Sequence, residues 1–283
     1  MIGKDLGTVA VLVFMSGVSS SRARAQAVVE WELGFEKGLE IAHASDKSVL
    51  LDFSADWCSP CRLMEKTIWM DPELVAVLRE SMVPVRIDFD SEKKLARRFR
   101  VSAIPTMIWA DPWGNELGRN LGFTDVPTLL SVIESLPEDF QPVASFQELV
   151  SRNPEHARAL LNIASIYREE GYLVAADSFY ERALEASKKG KTEPQVAEQA
   201  YVGLGLNMLA RRHAVEARKL FEKATKLPAG PHRAVALYDL VAAHAQLGEE
   251  RKAGERLEEL RLAYPDDEKL AAAEALVSKL KKP

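Results

Sequence analysis

Cysteine is nearly missing from this chain: there are two in 283 residues, beside five histidines. Two cysteines cannot form a disulfide framework for a chain of this length, nor a four-ligand zinc site without help from histidine. A basic excess is missing as well. Asp and Glu number 42 against 37 Lys and Arg, a net charge of −5, whereas a nucleic-acid binder carries a basic surplus. The apolar stretch from Val9 to Val18 falls short of the roughly 20 residues that a membrane-spanning helix needs. With 47% hydrophobic and 28% charged residues, the chain is neither disordered nor fibrous. Its length suits two domains at about 100–200 residues each.

The length of the Val9–Val18 stretch suits the core of an export signal, and Ala23-Arg24-Ala25 and Ala25-Gln26-Ala27 both offer small-x-small cleavage sites. The flanks argue the other way. Lys4 is offset by Asp5, and Arg22 and Arg24 follow the core, where positive charge resists translocation. Residues 1–27 are expected to be a signal peptide for the periplasm or another exported location. The alternative is a cytoplasmic chain whose first segment is a buried strand or the product of a mis-called start codon.

Both cysteines fall in one motif. Ser48 to Phe53 is a short apolar run that reads as a buried strand, and Trp31 to Ala44 before it has the spacing of an amphipathic helix. Directly behind the strand stands Ala55-Asp56-Trp57-Cys58-Ser59-Pro60-Cys61-Arg62. A C-x-x-C pair between a strand and a helix puts Cys58 at the helix N-terminus. There the free backbone N–H groups and the dipole favour a thiolate. Cys61 follows one turn deeper, in reach of the first sulfur, and Pro60 suits a first turn. Half of a metal site is the competing reading, but His43 is the nearest histidine and sits on the preceding helix; no metal is expected.

The stretch Leu51 to Cys61, together with Val101-Ser102-Ala103-Ile104-Pro105-Thr106, resembles the thioredoxin superfamily. The helix is expected to continue through Glu65 to Glu73, a run similar to the subfamily that includes the soluble end domain of thiol:disulfide interchange proteins. The resemblance covers about residues 28–138 and rests on two separated motifs in the right order. It implies that Asp52 is a buried acid beside Cys61, and that Arg86 stands where the family often has a lysine. It also implies that Trp57 lies partly exposed beside the nucleophile. Ile104 would lend its backbone to the substrate chain, and cis Pro105 would face the cysteines and keep metals and stray thiols away. No organic cofactor follows. Strands at Met82–Phe89, Thr106–Ala110 and Glu116–Arg119, with helices at Glu92–Arg100 and Asp125–Leu136, agree with such a sheet.

Leu136 to Pro142 reads as a linker, with two prolines around acidic residues. Beyond it helical periodicity takes over and the sequence becomes self-similar. Leu160, Ile163, Ala164, Tyr167 and Gly171 are echoed by Tyr201, Leu204, Gly205 and Met208, then by Leu237, Leu240, Val241, His244 and Gly248. This resembles tetratricopeptide repeats starting near Ala157, Glu198 and Ala234, with a degenerate half-repeat at Phe146–Pro154 and a capping helix from Asp267 to Leu280. The fold expected is therefore an α/β thioredoxin-like sandwich over 28–138, followed by an all-α tetratricopeptide solenoid over 139–283.

Such repeats bind extended peptides along their first helices. The lysine and asparagine clamp of one subset is not kept here: Asn162 is present, but the matching places in the next two repeats hold Gly203 and Asp239. The expected groove is apolar, lined by Val202, Leu206, Leu209 and Tyr238. The function read from all this is a thiol–disulfide oxidoreductase, in the reducing direction, with Cys58, Cys61, Asp52 and Pro105 as its machinery. Its partners would be a disulfide-containing protein substrate, an upstream electron donor and a protein recruited through the groove, with no nucleic acid. The rival reading is a scaffold or chaperone-like adaptor in which the repeats carry the function.

Overall fold

The computed structural model describes residues 28–190 and 194–280. The signal-segment expectation for residues 1–27 lies outside them. Among the described residues four strands, β1 (Ser48–Ser54), β2 (Met82–Asp88), β3 (Thr106–Ala110) and β4 (Glu116–Leu121), form one sheet in the order β2-β1-β3-β4. β1 and β2 are parallel, while β3 runs antiparallel to both β1 and β4. A central strand covered on both faces must be apolar on both, and β1 is buried from Ser48 to Phe53.

The alternation of a strand decides which helices each residue meets. Val49, Leu51 and Phe53 pack with α1 (Phe35–Ser45) and α4 (Lys93–Arg98). Leu50 points the other way, into a cluster with α2 (Ser59–Thr67), α3 (Pro72–Ser81) and α5 (Val126–Glu134). Asp52 shares the face of Leu50, beneath α2. The parallel register sets Arg86 of β2 beside it.

Two expected helices differ. The helix expected from Trp31 starts at Phe35 instead, because Gly34 is its extended N-cap. The residues before it lie along β2, with Glu32 bonding the backbone of Pro84 and Arg86. The run from Glu65 to Glu73 is broken after α2 by a 3-10 turn at Ile68–Met70. Asp71 then caps α3 by accepting from the backbone N–H groups of Glu73 and Leu74, with Pro72 following.

Eight further helices follow among the described residues: α6 (Gln141–Arg152), α7 (Ala157–Glu169), α8 (Leu173–Gly190), α9 (Pro194–Ala210), α10 (Ala214–Thr225), α11 (Arg233–Gln246), α12 (Glu250–Ala263) and α13 (Leu270–Leu280). From α6 to α13 each packs on a neighbour in sequence, and α7, α9, α11 and α13 also meet one another in turn.

The helices are not strung on a loose tether. Within the stretch expected as a linker, Phe140 is buried, and Leu136 packs in both the α2–α3–α5 cluster and the helical one. Leu117 of β4 is itself part of the helical core, with Trp113 packed against it. At the centre stands Asp111, fully buried in the turn between β3 and β4. Its carboxylate accepts from the Trp113 and Asn115 backbone N–H groups, from the Asn115 amide and, at 2.7 Å, from the Tyr167 hydroxyl on α7. Burial pushes its pKa up, and these donors oppose the rise. A hydrogen bond to a charged acceptor is worth about 1.5–3 kcal/mol. Tyr167→Phe is therefore expected to lower the stability of the whole chain by about that amount. All five tryptophans lie between positions 31 and 113. Melting followed by tryptophan fluorescence and by helical circular dichroism should shift together; a shift confined to one probe would contradict the shared core.

Candidate active site

The site is assembled where β1 gives way to α2. Cys58 is the N-cap of α2, and its Sγ accepts from the Cys61 backbone N–H at 3.2 Å. The two cysteines are joined by a disulfide and are both buried. Trp57 beside them is 63% exposed. Its indole N–H donates to Asp90 at 2.6 Å, and that bond together with Lys93 holds the Asp90 carboxyl below its usual range. The Ile104–Pro105 bond is cis, and a cavity of about 420 Å³ is lined by Pro105, Cys61, Asp52, Glu65 and Arg86.

Asp52 is 2% exposed. Burial pushes its carboxyl up to about 6, Arg86 pulls against that, and Glu65 adds to it. The Arg86 Nε lies 3.2 Å from Asp52 Oδ2, yet among the described residues neither Nε nor Nη2 of Arg86 has a hydrogen-bond partner. The guanidinium is held instead by Glu65, which accepts from Nη1, and by the Trp31 ring, whose centroid is 4.1 Å away. Asp52 therefore has a cationic neighbour but, among the described residues, no donor, so desolvation outweighs the ion pair.

Sequence reading missed Glu65 and Trp31 as members of this group. Glu65 is four residues after Cys61, so both lie on one side of α2, and that spacing was the available signal. Trp31 gave none, because its contact depends on the segment before α1 running beside β2. His43 makes an edge contact with the Trp113 ring at 5.3 Å. Among the described residues no group of three or more His, Cys, Asp or Glu side chains is placed to hold a metal.

Of the four residues expected in the groove, Val202 is buried and Leu206, Leu209 and Tyr238 are half-buried. Val202 is 3% exposed and belongs to a core with Ala217, Phe221 and Leu240. Leu206 and Leu209 are half-buried against that core. Tyr238 packs on the neighbouring cluster of α11, α12 and α13, with the Lys269 ammonium 5.6 Å from its ring centroid.

A mixed four-stranded sheet flanked by helices, with a C-x-x-C pair capping the helix after the central strand, defines a thiol–disulfide protein of the thioredoxin type. A thioredoxin-like family model matches residues 30–112. Thioredoxin of Chlamydia trachomatis is 33% identical over 85 residues, which is 30% of this chain and 78% of that protein. The chain belongs to the thioredoxin family through this region. The thiol:disulfide interchange protein DsbD of Pseudomonas fluorescens is 36% identical over 81 residues, 28% of this chain and 14% of that protein. The chain thus matches about one seventh of the length of that relative. The solution structure of a thioredoxin from Thermus thermophilus aligns with 38% of this chain and 85% of its own at 24% identity and a TM-score of 0.33. Among the described residues no helix is long and apolar enough to cross a membrane.

Proposed function

We propose that the protein is a protein-disulfide reductase of an exported compartment, whose helical half recruits its partners as a tetratricopeptide array. The observation that carries the redox reading is the shared cavity: Cys61, the buried Asp52 and Pro105 line one space behind the helix N-terminus that Cys58 caps. In the reduced form Cys58 attacks a substrate disulfide as thiolate and forms a mixed disulfide. Asp52 takes the proton from Cys61, whose sulfur then attacks Cys58 and releases the substrate as a thiol. Each turnover leaves the Cys58–Cys61 disulfide, so an upstream electron donor must reduce it. An insulin-reduction assay on the full chain tests the activity, and no turbidity above the uncatalysed rate would refute it.

The residues between the cysteines support the reducing direction. Ser59 and Pro60 offer no histidine to stabilise the Cys58 thiolate further, and a less stabilised thiolate lowers the potential. Equilibration with glutathione is expected to give about −270 to −220 mV, near the thioredoxin end of the range. A value above about −180 mV would contradict a reductase.

The repeat reading draws support from matched details. Gly171 and Gly248 end α7 and α11 in the same left-handed turn, with φ of 90° and 68°. Gly203 and Gly205 face the rings of Tyr180 and Phe221 so closely that a Cβ would lie 2.2 and 2.4 Å from them. Small residues where paired helices touch are what such stacking requires.

A further inference from the structure

In a chain with more acids than bases, cations usually find carboxylates, and most arginines here do. Arg79, Arg86, Arg119, Arg152, Arg211 and Arg218 all pair with Asp or Glu. The segment Lys93-Lys94-Leu95-Ala96-Arg97-Arg98-Phe99-Arg100 breaks that pattern. Lys93 pairs with Asp90. Lys94, Arg97, Arg98 and Arg100 are all exposed, and among the described residues none of them pairs with a carboxylate. Arg98 donates only to the Gly114 carbonyl while lying near the Phe35 and Phe99 rings. Like charges gathered on one short helix repel one another. Core packing does not require them, since Leu95, Ala96 and Phe99 supply the buried face of α4.

Their position gives the patch a use. At one end, Lys93 and Trp57 share Asp90, so the patch begins at the exposed tryptophan beside the disulfide. At the other end, Arg100 stands five residues before Pro105, a distance the chain spans in at most about 17 Å. Between α4, β4 and α8 the patch continues into a cleft of about 630 Å³ that holds Arg98, Arg100, Arg119 and Arg211. The cleft also contains Glu116 and Asp177, already taken by Arg119 and Arg211, and Glu181 on its far wall. The Phe99 carbonyl accepts from Arg119 at 2.8 Å and fixes the end of α4 to β4. The cleft is thus pre-formed, because the core shared by β4 and the helices holds both its walls.

We propose that this basic face is the recognition surface for an acidic segment of the substrate protein, which it holds beside Cys58. This rests on the redox reading above. Exposed charges act over about 10 Å at 0.1 M salt and act mainly on encounter rate and choice of partner.

The test uses three synthetic peptides with the same disulfide loop and an acidic, neutral or basic tail. Fluorescence anisotropy with the full chain reads binding apart from chemistry. In low salt the acidic peptide is expected to bind at least about tenfold more tightly than the neutral one and to lose that margin in about 0.5 M salt. Arg97→Glu combined with Arg100→Glu should reverse the order of the acidic and basic peptides. The ratio of their reduction rates should follow the same order. Equal affinities for all three peptides, or an order unchanged by the charge reversal, would overturn the proposal. So would binding to vesicles rich in phosphatidylglycerol with no preference for the acidic peptide. If binding shows the expected order while no peptide is reduced, the surface stands and the redox reading falls.

Discussion

Cys61→Ser is expected to turn the protein into a trap. Cys58 keeps its place at the cap of α2 and still attacks substrate disulfides, but no second sulfur remains to release the product. Mixed disulfides should accumulate through Cys58, while turnover in insulin reduction falls to background. The partners can then be identified by mass spectrometry. Cys58→Ser should trap almost nothing, because Cys61 lies a turn inside the helix, away from the free N–H groups that stabilise a thiolate. The same asymmetry should appear in alkylation of the reduced protein near neutral pH, with Cys58 modified first. Equal trapping by the two variants would reverse the assignment of nucleophile and resolving cysteine.

Asp52→Asn is expected to stabilise the protein and slow it. Asp52 has its native pKa raised to about 6 from 3.8 by burial. Below about pH 4 the group is neutral in both native and unfolded chains, and nothing is lost. As the pH rises towards 6 the unfolded chain gives up its proton while the native chain keeps it, so stability falls. Above 6 the whole penalty remains, on the order of 3 kcal/mol for about two pKa units. The asparagine variant should therefore be more stable at pH 7–8 by up to about 3 kcal/mol and lack the decline between pH 4 and 6. Arg86 keeps Glu65 as its counter-charge in that variant. Removing a general base costs about 10²–10⁴ in the step it assists. Release of the mixed disulfide should slow by something in that range, while formation through Cys58 changes little. Denaturant titrations at several pH values, with single-turnover kinetics, read both effects. An Asn variant less stable at pH 8 than the parent would contradict the picture of a desolvated carboxylate.

The parts of the fold that were legible in the sequence are those set by local pattern. β3 runs from Thr106 to Ala110 as the apolar spacing predicts, and β1 and β2 differ from expectation by one residue at an end. Asp52 could be singled out because an acid inside an apolar run is costly to bury. What escaped depends on partners far along the chain. Asp111 reads as an ordinary turn residue, yet its partner Tyr167 is 56 positions away. Leu136 and Phe140 look like linker residues because only the assembled helices bury them. The groove residues illustrate the same limit. A spacing of four and three puts Val202, Leu206 and Leu209 on one side of α9, but only the packing of α10 and α11 determines that Val202 is covered.

The way the sheet ends bears on how this protein survives crowding by its own copies. An edge strand presents a row of free N–H and C=O groups on which another chain can add a strand. Here both borders are blunted. On the β2 side Pro84 offers no N–H, and the Glu32 segment bonds to the Pro84 carbonyl and the Arg86 N–H. On the β4 side α8 lies against the strand, and Leu117 is drawn into the helical core. The helical half thus covers the border at which another chain could otherwise add a strand.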